Sequence, residues 1–538
     1  MMPVMRGMIV APQPEAVEAG ALVLKRGGNA VDAAIACGLV QGVVDPQMVG
    51  IAGFGSMHVF LPKKGVHACL DFHARCPAAV RPDMWAHLIE GETRDGFGFI
   101  LKGRVNDMGY QSVAVPGSLK AYAEALAQWG TLDWKDALAP AIAEARRGFV
   151  IRPHVYTMWT QRESRLGRVD LVDKLRFSET GKRIYFHPDG RLKEMGDRVE
   201  NPEMLRTLER LAKQGPDLFY GGDIAEEAEA DFRAHGGLVT AKDLREYRTV
   251  KSQPLWGEYR GLKLASAPPP AGGTLVIEML HIVEHFDLRG LGHNSPEYIR
   301  VVAEAMKYAT IDKDQHVGDP AFVDVPLRRL LSKDYAATLA ERIKRGEKAH
   351  VVRLDAAEPK DTTHISVIDA EGNAVTMTHS LGMPSGVITD GHGFMWNGCM
   401  GVFDPRPGRT GSIAAGKSRF TSMSPTIVFK DEKPFIVIGA PGGTYISGSV
   451  MLGISNVVDF GMSMSEAVAA PRISVTSDIV DVSNRIPRFV TDEVERRGYQ
   501  VKRSYQSYAF AGVHGIKQEA GILTGGADPQ RDGMALLV

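Results

Sequence analysis

The segment Asp361-Thr362-Thr363-His364-Ile365-Ser366-Val367-Ile368-Asp369-Ala370-Glu371-Gly372-Asn373 constrains this chain more than any other stretch. Ile365 and Val367 alternate with His364 and Ser366, which is the period of a strand, with one slip at Ile368. Ala370-Glu371-Gly372 fits a three-residue hairpin loop with glycine at the left-handed position. The chain then returns as Ala374-Val375-Thr376-Met377-Thr378-His379-Ser380. If Asp369 closes on Asn373, paired residue numbers share one sum. Val367 then faces Val375, Ile365 faces Met377, Ser366 faces Thr376, His364 faces Thr378, and Thr362 faces Ser380. One face of the hairpin is apolar and the other polar, with opposed side chains about 5 Å apart at Cβ. Register arithmetic alone puts a second hydroxyl beside Thr362.

Threonine and serine on one face of a hairpin are ordinary solvent-facing residues. They gain chemical meaning if the chain is cut between Asp361 and Thr362. Thr362 then carries a free α-amine beside its hydroxyl, and the amine can accept the hydroxyl proton. That is one of the few ways a neutral alcohol becomes a nucleophile at neutral pH.

A second hairpin follows, Ser424-Pro425-Thr426-Ile427-Val428-Phe429 returning as Phe435-Ile436-Val437-Ile438. It ends in Gly439-Ala440-Pro441-Gly442-Gly443-Thr444, and a helix is expected from about Tyr445 to Val458. Two glycines between a strand and a helix leave backbone N–H groups uncovered at the positive end of the helix dipole. Such donors suit a developing oxyanion, although a plain tight turn has the same composition.

These segments, with others in the same order, resemble the gamma-glutamyltransferase family of N-terminal nucleophile hydrolases along nearly the whole chain. The others are Gly27-Gly28-Asn29-Ala30-Val31-Asp32-Ala33-Ala34, Asp45-Pro46-Gln47, Gly50-Ile51-Ala52-Gly53-Phe54-Gly55, Val115-Pro116-Gly117-Ser118 and Pro268-Pro269-Pro270-Ala271-Gly272-Gly273. The resemblance implies an α/β fold, a four-layer αββα sandwich with additional helices. It implies a large subunit of residues 1–361 and a small subunit of 362–538, interleaved after autocleavage between Asp361 and Thr362. Thr362 stands at the family's nucleophile and Ser380 at a second hydroxyl that hydrogen-bonds it. Gly442 and Gly443 stand at the oxyanion hole, and Thr421 and Ser422 at a hydroxyl pair that binds the substrate carboxylate. No metal or organic cofactor is implied.

Three glutamate contacts of the family's transpeptidases are altered. Leu70-Asp71-Phe72 is followed by His73 where those enzymes have arginine, with Arg75 two residues on. A neutral imidazole offers no bidentate fork to a carboxylate. Val402 replaces the aspartate that holds the α-ammonium, and Gly382 replaces an asparagine. The segment from Phe403 to Arg419 is also shorter than the family's lid-bearing loop. The engine is retained while the glutamate handle is changed. The expectation is a self-processing amidohydrolase that cleaves a small acyl amide through an acyl-threonine. A carboxylate-bearing amide such as an oxamate-like half-amide would suit it, with His73, Arg75, Thr421 and Ser422 near the carboxylate. The alternatives are a gamma-glutamyl transferase or glutathione hydrolase, and an uncut homologue that binds a small acid.

Two motifs are decoys. His281-Ile282-Val283-Glu284-His285 fits a zinc-peptidase pattern, but apolar residues interleave with it and an ordinary helix is expected. Gly53-Phe54-Gly55 precedes a strand-like run, not a helix, so it is no nucleotide loop. A formal net charge of -1 argues against nucleic acid and anionic membranes as partners. Four cysteines, Cys37, Cys69, Cys76 and Cys399, give no disulfide framework in 538 residues. The N-terminus runs straight into the first motif and no apolar run is long enough to span a membrane, so a cytoplasmic protein is expected. Residues 1 to about 75 read as helix and sheet of the sandwich. Residues from about 80 to 360 read as helix-rich, with amphipathic stretches at Leu119 to Trp129, Pro202 to Gln214 and Ile224 to His235. Strands dominate after Thr362.

Overall fold

Among the residues described by the computed structural model (7–351, 353, 362–506 and 510–538), two antiparallel sheets stack face to face. In chain order their strands begin with β1 (Gly7–Ala11), β2 (Phe54–Leu61), β3 (Val66–Phe72), β4 (Val250–Ser252), β5 (Leu255–Tyr259) and β6 (Leu262–Ser266). After the central hairpin of β7 (Thr363–Asp369) and β8 (Ala374–Ser380) come β9 (Thr426–Lys430), β10 (Lys433–Gly439), β11 (His514–Glu519), β12 (Ile522–Ala527) and β13 (Met534–Leu537). One sheet runs β13-β1-β7-β8-β2-β3-β4 and the other β12-β11-β10-β9-β6-β5. Helices α1 (Pro14–Lys25) and α2 (Ala30–Val44) cover the first sheet. Helices α3 (Gly273–Val283) and α4 (Ile446–Val458) cover the second. This is the four-layer αββα sandwich.

The central hairpin has the register that its sequence dictates, with His364 opposite Thr378 and Val367 opposite Val375. Gly372 takes a φ of 79° in the turn, and both the Glu371 and Asn373 N–H groups donate to the Asp369 carboxylate. The apolar face packs on α2, where Gly38 lets Ile365 and Met377 approach the helix. Every residue of α2 is buried, as befits a helix apolar all round that is covered on its other side by α1.

The polar face of the hairpin is not solvated. It lies between the sheets, where His364 hydrogen-bonds Thr378 (2.8 Å), Ser366 (3.0 Å) and Thr376 (3.1 Å). Thr376 donates across the gap to the Ile438 carbonyl at 3.3 Å. Gly439 of β10 faces the His364 ring so closely that a Cβ there would sit 2.1 Å from it. Buried polar groups require partners, and here the two sheets supply them to each other.

The amphipathic helices fall at Ser118–Trp129, Pro202–Gln214 and Asp223–Ala234. The region read as helix-rich also contributes β4, β5 and β6 to the sheets, which departs from that reading. Leu255-Trp256-Gly257-Glu258-Tyr259 is a short alternating strand, and Arg260 and Gly261, both at positive φ, turn it into β6. In the zinc-like motif α3 ends at Val283, so His281 is buried against the Glu258 backbone N–H while His285 is exposed beyond the helix. Cys37, Cys69, Cys76 and Cys399 are all buried free thiols. Among the described residues, no helix is long and apolar enough to cross a membrane.

Candidate active site

Thr362 immediately precedes β7, at the edge of a cavity of about 310 Å³. Its hydroxyl lies 3.3 Å from Ser380 Oγ, the last residue of β8, as the register requires. Ser380 Oγ also accepts the Gly382 N–H at 2.8 Å, which holds it in place. The next residue, Thr363, is fixed from the other side: Gln41 of α2 donates to its hydroxyl at 2.9 Å. Gln41 also accepts from His379 at 2.8 Å, and His379 pairs with Tyr122. Burial holds His379 far below the usual imidazole range, at about 3, so its ring is neutral. Asp361 lies outside the described residues.

The strand ladder of β10 ends at Gly439, and the helical turn Gly443–Tyr445 leads into α4. Gly442 caps that turn and Gly443 opens it, so their N–H groups come before the first helical hydrogen bonds and lie beyond the strand ladder. The helix begins at Ile446, one residue past the expected start, because this tight turn comes first. Gly442 has a φ of 138°, and a Cβ there would lie 2.6 Å from Ala511 Cα, so only glycine fits. Gly443, Thr444 and Ile446 line the cavity with Thr362, and Gly442 is the residue next to that lining.

Thr421 and Ser422 line the same cavity. The Thr421 N–H donates to Pro270 O (2.8 Å) and the Gly272 N–H to Met423 O (2.7 Å). The proline-glycine turn before α3 therefore grips this loop. His73 does not reach the cavity wall. It is buried, with one ring nitrogen on the Asp71 carboxylate and Nε2 2.7 Å from Thr421 Oγ1. Its place is behind Thr421, as a positioning group. Arg75 is not brought to the cavity either. Its guanidinium lies over the Tyr247 ring, 5.4 Å from the centroid. Two residues along an extended chain keep one face but move the side chain about 7 Å.

The altered glutamate positions are visible in space. Val402 presents an apolar surface to the cavity. A Cβ on Gly382, which has a φ of 77°, would sit 2.7 Å from Cys399 Sγ and 3.0 Å from Phe54 Cε1. An asparagine side chain has no room there. The shortened segment from Phe403 to Arg419 supplies Asp404, Arg406, Arg409 and Arg419 to the cavity lining. A separate hairpin, Ile89–Glu92 with Phe99–Leu101, adds Phe97 and Phe99. Arg406 ties the two together, pairing with Asp404 and Glu92 at 2.7 Å each.

Arg419, Thr444, Lys313 and Phe97 were not singled out from the sequence. They come from four separate segments, and no local spacing marks them as neighbours of Thr362. Among the described residues no group of three His, Cys, Asp or Glu side chains converges to hold a metal ion.

A sandwich of this layering, with a hydroxyl residue opening a central strand beside a glycine turn, defines the N-terminal nucleophile hydrolase class of fold. A family model described as gamma-glutamyltranspeptidase matches residues 16–538. The chain is 36% identical over 540 residues to the acylase ACY 1 proenzyme of Pseudomonas sp. (strain V22), covering 99% of this chain and 94% of that one. It is 32% identical to the glutathione hydrolase proenzyme of Bacillus subtilis (strain 168), covering 98% and 91%. The crystal structure of cephalosporin acylase from Bacillus halodurans superposes with a TM-score of 0.86 at 27% identity, covering 99% of this chain and 96% of that one. The chain belongs to the gamma-glutamyltranspeptidase family.

Proposed function

We propose that this protein is a self-processing amidohydrolase in which cleavage after Asp361 frees Thr362 as the nucleophile. The observation that carries the reading is the position of Thr362: at the head of a central strand, 3.3 Å from Ser380, on the wall of a cavity that also receives Gly443. Similarity to acylase and glutathione hydrolase proenzymes supports it.

The proposed reaction has two stages. The Thr362 hydroxyl, oriented by Ser380, attacks the amide carbonyl while the freed α-amine takes its proton. The Gly442 and Gly443 N–H groups stabilise the oxyanion, aided by the positive end of α4. The proton passes to the leaving nitrogen, the amine or ammonia departs, and an acyl-threonine ester remains. Water adds to that ester, returning the acid and the free Thr362. A cavity of about 310 Å³ has room for a small acyl amide. Thr421 and Ser422 offer hydroxyls to a substrate carboxylate, with His73 holding Thr421. A gamma-glutamyl group is the poorer fit, since Val402 cannot bind an ammonium and Gly382 has no space for a polar side chain.

Residues 1–361 and 362–538 would remain one unit after the cut. Strand β7 pairs with β1, β8 with β2, and β9 with β6, so both sheets mix strands from the two sides. The test is the intact mass of the purified protein beside its Thr362→Ala variant. Fragments 1–361 and 362–538 are expected in the wild type and a single chain in the variant. A wild type that remains one chain would remove the free amine and sink the mechanism.

A further inference from the structure

We infer that Arg419 is the specificity residue of this cavity, the cation that holds a carboxylate of the substrate amide. The inference deepens the amidohydrolase reading and rests on it for the reaction, although not for binding.

Five cationic side chains line the cavity, and their partners separate them. Lys313 and Arg353 both pair with Asp314. Arg406 pairs with Asp404 and Glu92. Arg409 is exposed at the rim. Arg419 is different. Among the described residues its guanidinium meets no carboxylate, and its Nε is shut off from solvent with no hydrogen-bond partner. Instead it lies between two aromatic rings, 5.8 Å from the centroid of Phe54 and 5.6 Å from that of Phe97. Burial pulls its pKa down to about 10, which still leaves it charged at neutral pH.

Arg419 is half-buried, with Nε shut off from solvent while the side chain opens on the cavity, so an incoming anion would supply the partner it lacks among the described residues. The planar fork of arginine also matches a carboxylate bidentately. The location points to the reacting end of the cavity. Phe54 pairs across the sheet with Ser380, the residue that hydrogen-bonds Thr362. Thr421 and Ser422, two and three residues on, put hydroxyls on the same wall. Arg419 thus supplies the fork that neither His73 nor Arg75 brings to the cavity, and it reaches the site from the loop that precedes β9. The substrate class is an amide with one free carboxylate.

Wild type, Arg419→Met and Arg419→Lys are compared on N-succinyl and N-glutaryl p-nitroanilide, N-butyryl p-nitroanilide and N-butyrylglycine. These carry the carboxylate on the acyl side, nowhere, and on the amine side. Arg419→Met is expected to lower the ratio of kcat/KM for a carboxylate-bearing substrate over the neutral one by about 100-fold, mostly through KM, and Arg419→Lys by less. A fall confined to the succinyl and glutaryl compounds locates the anchor on the acyl side, and one confined to N-butyrylglycine on the amine side. An unchanged ratio, or an equal fall on every substrate, overturns the proposal. If the chain is never cut and turns nothing over, the Thr362 mechanism has failed and binding decides the matter alone. Calorimetric titration with N-phenylsuccinamate and N-butyrylglycine should then show binding to wild type that Arg419→Met loses. Equal binding to both proteins, or none to wild type, counts against Arg419.

Discussion

At the scale of single residues, the site depends on groups whose neighbours leave little freedom. Gly442 is the clearest case, because its backbone conformation and the nearby Ala511 both exclude a side chain. Gly442→Ala should shift an oxyanion donor and lower kcat by about 100- to 1,000-fold with the chain still folded, measured by steady-state kinetics beside circular dichroism. Ser380→Ala removes one hydrogen bond to Thr362 and should cost about tenfold in kcat. An effect on KM alone would instead assign Ser380 to substrate binding. His73 acts at one remove. His73→Ala frees Thr421 without touching the cavity wall, so the expected result is a raised KM for carboxylate-bearing amides with kcat little changed.

At the scale of elements, the central hairpin and the glycine turn were legible because both obey short-range rules. Strand period and loop length fixed which residues oppose each other, and that arithmetic placed Ser380 beside Thr362. What the hairpin could not reveal is where its polar face goes. Histidine, serine and threonine at alternate positions suit solvent equally well, and only the second sheet, with Gly439 and the Ile438 carbonyl, makes that face an interior. Gly439→Ala tests this. A methyl 2.1 Å from the His364 ring must push the sheets apart, and thermal unfolding should show a loss of about 3 kcal/mol. A near-neutral change would mean that the seam can relax.

At the scale of the whole molecule, the layers bury neutral histidines, some in the polar seam between the sheets and His379 beneath α2, and that sets an acid limit on stability. His58, His379 and His514 are each pulled down to about 3 from an ordinary value of 6.5, and His364 well below it, all by burial first. Above pH 6.5 these rings are neutral folded or unfolded and contribute no pH dependence. Between pH 6.5 and about 3 the unfolded chain binds protons that the folded one refuses. Stability therefore falls with pH by up to about 1.4 kcal/mol per unit for each ring. Buried Asp45, raised to about 7, and Glu278, raised well above its usual range, work in the opposite sense but are fewer. The melting temperature should thus drop steadily from pH 6.5 to 4, and a flat profile would contradict the neutral seam. By itself the sequence determined the hairpin register, the glycine turn, several helices and the family resemblance, because each rests on contacts between near neighbours in the chain or on motif order. Only the tertiary structure decided that His73 backs Thr421, that Arg75 lies over Tyr247 away from the cavity, and that Arg419 stands beside Phe54 with no carboxylate partner among the described residues. Those facts depend on which segments the sandwich brings together across hundreds of residues, and a side chain's partners and desolvation are properties of that assembly, with no local pattern to announce them.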